Sequence, residues 1–447
     1  MEKFKFYCPT EIIFGKDSEL STASLIKKYN GHNVLIVYGG GSVKRSGLLD
    51  KICQQLSNDN LSYMTLGGVQ PNPVVCFVND AIKKAYQANI DFVLAIGGGS
   101  VIDTAKAIAH GLKYPQNDIW DIWTKKITLT NTTPMGSIVT LAAAGSETSD
   151  SAVLTNEQTG QKRGLSTPFN RPCFAIMNPQ LTYSAPNYQK ACGIADILMH
   201  TLERYFAKEQ NNYLTDYIAE GLLKDVITQA PIMINEPTNY IAHSEIMYAG
   251  SLSHNDITGL GRTKDFSVHK FGHELSAKYN ATHGASLTAI WSSWARYIYQ
   301  KNIQRFCHLG KILFNIDTLN KTDETIALET IKHFEDFFTS LNLPINISQL
   351  VGKTLTDEEL TYLTSMCTDN NTKTIGNFSP LNKRCFLWIC KIVHFALVYV
   401  MLTALKIMVS VMLVIKWKLL SYPYINGKNR AYPEQMEQAR FFSLIVI

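Results

Sequence analysis

Through residue 180, short unbroken apolar runs alternate with stretches whose apolar positions recur every three or four residues. VLIVY (34–38) ends in Gly39-Gly40-Gly41-Ser42 and feeds the helix-like RSGLLDKICQQL. FVLAI (92–96) ends in Gly97-Gly98-Gly99-Ser100 and feeds VIDTAKAIAHGL. Apolar runs of this length, closed by glycine and followed by a helix, predict parallel strands buried on both faces. SIVTLAAAGSETS (137–149) reads as another strand running into a turn of small residues. The pattern predicts a doubly wound α/β domain over 1–185.

After Pro179 and Pro186 the period changes. YQKACGIADILMHTLERYF, SVHKFGHELSAKYN and ETIALETIKHFEDFFTSL are long helical patterns, and no strand is evident between 187 and 383. An all-helical second domain is expected over 186–383. Residues 384–447 have a third texture. No acid occurs between Asp369 and Glu434, and 392–415 (IVHFALVYVMLTALKIMVSVMLVI) carry one lysine, Lys406. That run is long enough to span a bilayer, which needs about 20 apolar residues. Membrane association is expected only if it inserts.

Charge sharpens this division. The 384–447 segment has 8 Lys/Arg against 2 Asp/Glu, whereas the whole chain of 447 residues is at +5, so the body is at −1. A near-neutral body gives no support for nucleic-acid binding. Hydrophobic residues at 46% exclude a disordered chain. Nine scattered cysteines without a C-x-x-C pair, and an N-terminus without an apolar signal segment, point to a reducing, cytoplasmic setting.

The glycine clusters carry the first candidate chemistry. Ser100-Val101-Ile102-Asp103 has the form of a capping box, with three glycines before it and a helix dipole behind. Such a turn suits a pyrophosphate, or it is simply a tight β-α connection. It is not G-x-G-x-x-G. After VLIVY, Gly39 stands where dinucleotide folds usually place a ribose-binding acid, with Ser42, Lys44 and Arg45 close by. No carboxylate there would repel a 2′-phosphate, although Lys-Arg also commonly marks a solvated helix start.

Histidines carry the second. Asp196 and His200 are i, i+4 in a helical pattern, His269 and His273 repeat the spacing, and His283 follows. Any one of them alone reads as a surface or hydrogen-bonded core residue. Together they form a donor set suited to Zn²⁺ or Fe²⁺. On one straight helix His269 and His283 would lie about 21 Å apart, so the chain must turn between them, at Asn280-Ala-Thr-His-Gly284.

At these residues the sequence resembles the iron-containing (group III, metal-dependent) alcohol dehydrogenases, and among them the butanol dehydrogenase branch. The matching stretches are PTEIIFG, VYGGGSVK, QPNP, GGGSVIDTAKAIA, GSE, TYSAP, GIADILMHTLERYF, HELSAKYNATHG and GNFSPLNK, the last ending at Lys383. The resemblance implies an α/β nucleotide domain and a helical metal domain with the active site between them. It implies Asp196, His200, His269 and His283 as metal ligands, and His273 as proton relay or substrate contact. Gly97, Gly98, Gly99 and Ser100 would cradle the pyrophosphate with Asp103 behind. Thr140 and Leu141 would flank the nicotinamide, and Lys162 would face the cofactor ribose or 2′-phosphate. Gly39, Gly40, Gly41 and Ser42 form the variant that implies NADP(H) over NAD(H), and a homodimer is a family-level expectation.

The activity implied is hydride transfer between NADP(H) and a small aliphatic alcohol or aldehyde such as butanol or butanal. The apolar run LTAIWSSW (287–294) beside His283 is expected to suit an alkyl chain. That run argues against a dehydroquinate-synthase-like enzyme, which with a glycerol-dehydrogenase-like NAD/metal enzyme is the alternative reading. A third alternative is a binding protein inactivated by its altered C-terminus. Val74, Val75 and Asn178 depart from the family pattern without touching the ligand set. The tail departs most: it reads as a fused anchor or as a frame-shifted or read-through end, and the abrupt loss of acids favours the latter.

Overall fold

A computed structural model describes residues 1–209 and 211–391. Eight strands lie in its first half: β1 (Glu11–Phe14), β2 (Asn33–Tyr38), β3 (Ser62–Leu66), β4 (Phe92–Gly97), β5 (Met135–Val139), β6 (Ser151–Asn156), β7 (Gln161–Ser166) and β8 (Phe174–Met177). Six form an all-parallel sheet in the order β1-β8-β5-β4-β2-β3. The three runs expected as strands are β2, β4 and β5. Their residues are buried almost throughout, as a parallel sheet covered by helices requires.

The strand order places the site. From β2 the chain steps outward to β3, returns past β2 to β4, and continues the other way to β5 and β8. The reversal leaves a crevice outside the carboxyl ends of β2 and β4, where ligands bind in open α/β sheets. The two Gly-Gly-Gly-Ser turns follow those two strands. The pairs Tyr38↔Ile96 and Gly97↔Val139 bring the ends of β2, β4 and β5 level.

One element was not foreseen. β6 and β7 form an antiparallel hairpin closed by a turn in which Asn156 Oδ1 accepts from the N–H groups of Gln158 and Thr159. Gly160 completes it at φ +66°. The burial of β6 alternates strictly, one face in and one out.

Beyond Pro186 the described residues are helical. Asn187–Tyr205, Tyr240–His254, Ser267–Tyr279 and His283–Ile298 surround the site, and the helices pack on the sheet as one compact unit. Their core is aromatic. Trp291 meets Phe334 and Phe338 at centroid distances of 4.7 and 6.0 Å, and Trp294 meets Phe206 at 5.7 Å. Leu287, Ile290, Trp291 and Trp294 are all fully buried among these rings. The LTAIWSSW run therefore packs the helical core and does not form an alkyl pocket.

The C-terminal break also moves. Residues 383–391 are helical, Phe386 and Ile389 are fully buried, and Phe386 stacks on Phe271 at 5.3 Å. The helical core thus continues past Lys383. Residues 392–447, with the 392–415 run, lie outside the described residues. Among the described residues no helix is long and apolar enough to cross a membrane. All nine cysteines are free.

Candidate active site

Three helices deliver the donor set. Asp196 and His200 project from Asn187–Tyr205. His269 lies on Ser267–Tyr279, which ends at Asn280 in the left-handed region (φ 49°), and His283 opens the next helix behind Thr282. The turn demanded by the His269–His283 spacing is thus present. Two glycines let these helices close up. A Cβ at 284 would stand 1.9 Å from the Cys192 carbonyl oxygen, and one at 193 would stand 2.1 Å from that of Ala142. His283 thereby reaches the Asp196 helix, and that helix reaches the turn after β5.

Asp196 Oδ1 is the hub. It lies 3.4 Å from His200 Nε2, 3.5 Å from His269 Nε2 and 3.7 Å from His283 Nε2. The donor atoms of Asp196, His200 and His269 all fall within 4.8 Å of one another. A tetrahedral ion with bonds of about 2.1 Å has donor–donor edges of about 3.4 Å, close to these separations. Asp196 Oδ1 and His269 Nε2, two of the converging atoms, are buried without a hydrogen-bond partner. Buried polar atoms are rarely left so unless an ion or water completes them. The residues present therefore fit a divalent metal.

Protonation at His283 and His200 favours the same reading. Burial, outweighing the Asp196 charge, drops His283 to about 3, and burial with neighbouring His254 holds His200 well below the ordinary value. Neutral imidazoles are what a metal requires. Burial pushes the Asp196 carboxyl up, but His283 and His269 outweigh it and keep it ionised. His269 is pulled down by burial and raised further by Glu203 and Asp196, to about 9.

Glu203 was missed by sequence reasoning. It is fully buried, accepts from Val268 N–H at 2.7 Å and pairs with His269 Nδ1. Its signal was available: 196, 200 and 203 share one helical face. His254, at the end of Tyr240–His254, was also missed, and its Nδ1 lies 2.8 Å from His200 Nε2. His273 stands outside the donor group, buried, with its ring 5.4 Å from that of His283. Burial and the nearby Lys162 charge hold it neutral.

Across from these helices lie the glycine turns. Gly99 begins the Gly99–Gly111 helix with Gly98 as its N-cap, so Ser100 is inside the helix and the capping box does not form. Asp103 instead points inward, accepting from Ser146 Oγ at 2.6 Å and Val153 N–H at 2.9 Å. Behind it Lys106 is fully buried, donating to Ser146 Oγ at 2.9 Å and to the Ser151 carbonyl at 2.7 Å. A Cβ on Gly99 would meet no atom within 4 Å, whereas one on Gly98 would meet Leu141 Cβ at 3.1 Å. Leu141 thus walls the turn, and Thr140 N–H donates to the Gly97 carbonyl at 3.1 Å. The open side of Gly99 and the first free N–H groups of the helix form an anion-ready cradle.

Lys162 enters from the unforeseen hairpin. It is buried, and its Nζ donates to Asn72 Oδ1 at 2.8 Å. Burial, partly offset first by Asp103 and then by Asp196 and Glu274, lowers it to about 8. One side chain thus lies in the fields of both Asp103 and Asp196. At the first turn, Gly41 is the N-cap of the short Ser42–Arg45 helix, and a Cβ on Gly40 would meet nothing within 4 Å.

Comparison with known proteins decides the family. Residues 9–179 match the model for iron-containing alcohol dehydrogenase, and 190–391 match that for the C-terminal part of the Fe-containing alcohol dehydrogenase family. The chain belongs to the iron-containing alcohol dehydrogenase family. It is 39% identical over 391 residues to the probable NADH-dependent butanol dehydrogenase 1 of Bacillus subtilis, covering 88% of this chain and 99% of that one. It is 33% identical to the NADPH-dependent aldehyde reductase YqhD of Escherichia coli, over 78% and 89% of the two chains. The NADH-dependent butanol dehydrogenase A structure from Thermotoga maritima superposes with a TM-score of 0.83 at 29% identity, over 88% and 98%. The match of this iron-containing alcohol dehydrogenase chain to its family runs eight residues past Lys383, to 391, which agrees with the buried Phe386 and Ile389.

Proposed function

We propose that the chain is an NADPH-dependent aldehyde reductase and alcohol dehydrogenase for small aliphatic substrates such as butanal and butanol. One divalent ion, Fe²⁺ or Zn²⁺, is held by Asp196, His200, His269 and His283. The observation that carries this reading is the clustering of the buried Asp196, His200 and His269 donor atoms, with His283 Nε2 3.7 Å from Asp196 Oδ1, beside the crevice of the sheet. When bound, the ion supplies Lewis acidity toward a carbonyl or hydroxyl oxygen, and the nicotinamide supplies or accepts hydride.

The protein's own share is positioning and proton handling. Gly97 to Ser100 bind the pyrophosphate through backbone N–H groups, and Leu141 and Thr140 bound the nicotinamide side. Lys162, donating only, orients a ribose hydroxyl or phosphate between the turn and the cluster. His273, neutral and next to His283, holds or moves the proton that balances hydride transfer. The preference for NADPH rests on the first turn. No carboxylate occurs between Gly39 and Leu49, and Arg45 Nη1 stands 3.5 Å from where a Cβ on Gly41 would be. An acid there would repel a 2′-phosphate; glycine and a guanidinium admit it.

The test is oxidation of NADPH and of NADH with butanal by the purified full chain, alongside its metal content. NADPH turnover well above NADH turnover, with one ion per chain, is expected. Turnover restricted to NADH rejects the cofactor assignment, and full turnover without bound metal rejects the metal.

A further inference from the structure

Two histidines facing the same point are supported in opposite ways. His269 turns Nε2 toward Asp196 and Nδ1 toward the buried Glu203 carboxylate. An acceptor behind Nδ1 keeps the proton there and leaves the Nε2 lone pair for a metal. His200 Nε2 also faces Asp196, at 3.4 Å, but the same atom lies 2.8 Å from His254 Nδ1. That contact closes the atom whichever ring carries the proton. If His254 donates, the lone pair of His200 Nε2 is taken; if His200 donates, its Nε2 carries the hydrogen.

The other side of the ring adds to this. Arg204 Nη1 lies 3.3 Å from His200 Nδ1 and also donates to the His200 carbonyl at 2.8 Å. A guanidinium only donates. It therefore favours a lone pair on Nδ1, which places the ring's hydrogen on Nε2, the nitrogen that would face the ion. Arg204 is fixed there by its buried stem, by Asp256 at 4.0 Å and by the Phe266 ring at 4.9 Å.

On the metal reading above, we propose that His254 and Arg204 make His200 the exchangeable ligand of this site. His254 competes with the ion for His200 Nε2, and Arg204 biases the ring against coordination. His269, backed by Glu203, is the ligand that retains the ion. His254 and Arg204 are positioning residues that act through His200.

The experiment follows loss of Co²⁺ from the cobalt-loaded full chain to excess chelator, read from the cobalt absorption bands. His254→Leu and His254→Ala remove the competitor and are expected to slow release about tenfold, with the band positions unchanged. Arg204→Gln moves in the same direction. Glu203→Gln moves oppositely, with faster release. Unchanged or faster release in both His254 variants overturns the proposal. So does a band shift to lower coordination number, which would make His254 itself a ligand. A wild-type chain that takes up no cobalt overturns the metal reading, and this inference with it.

Discussion

At the carboxyl ends of β2 and β4, the positions that face the crevice are Gly39, Gly40 and Gly99, and a Cβ on Gly40 or Gly99 would meet nothing within 4 Å. Across from them, Asp196, His200 and His269 are buried with their donor atoms within 4.8 Å of one another, and half-buried His283 brings Nε2 to 3.7 Å from Asp196 Oδ1. One side of the site is made of backbone and missing atoms, the other of side chains. The sheet side should therefore fail when atoms are added, with the fold intact. The helical side should fail when atoms are removed, and its supporting glycines should tolerate no addition.

The largest effect is expected on the helical side. His269→Ala strips the ion and lowers turnover by roughly 10³-fold, and His200→Ala lowers both but retains more metal than His269→Ala. Elemental analysis of the purified variants checks this, and full occupancy in either would show that the cluster is not the metal site. Next is the C-terminal helix. A chain ending at Lys383 loses the burial of Phe386 and Ile389, worth about 4 kcal/mol. A chain ending at Lys391 keeps both. Thermal melts of the two should separate clearly, with metal and turnover retained only by the longer form.

On the sheet side, Gly99→Val places a side chain in open space. It should raise KM for NADPH about 100-fold by filling the cradle, with the melting temperature unchanged. Gly284→Val is the control that breaks the comparison the other way, because its Cβ meets the Cys192 carbonyl at 1.9 Å and folding should fail. Gly39→Asp should swing cofactor preference toward NADH about tenfold, measured as the ratio of kcat/KM for the two cofactors.

The smallest effect is a pH dependence that neither side shares. Burial, against the pull of Lys270, Arg163 and Lys162, raises Glu274 from its ordinary 4.5 to about 7. Between those values the folded chain holds a proton that the unfolded chain lacks. Its contribution to stability is therefore complete below pH 4.5 and is lost as pH rises through 7. Glu274→Gln should remove about 2 kcal/mol of the stability difference between pH 5 and pH 7, as read by denaturant unfolding.

What was legible in the sequence follows the same divide. β2 and β4 announced themselves because a parallel strand buried on both faces needs an unbroken apolar run. The Asp196/His200 pair and the turn before His283 were readable because helical spacing and reach are fixed geometry. Side-chain partners were not. Asp103 sits where a capping box would use it, yet it serves Ser146 and Val153, which only the folded hairpin brings near. That hairpin is half polar, and its alternation was hidden beside stronger helical patterns. Glu203 finds its partner, His269, 66 residues later in the chain. The tryptophans of LTAIWSSW could have lined a pocket or filled a core, and only Phe206, Phe334 and Phe338 decide between them.

The central claim is that one ion joins the four donors across three helices. Its most direct test is an anomalous difference map from crystals of the chain, recorded at the absorption edge of the metal it carries. The account predicts one peak per chain, within about 2.2 Å of Asp196 Oδ1 and of the Nε2 atoms of His200, His269 and His283. A fully active protein with no peak there, or with its ion bound elsewhere, would contradict it.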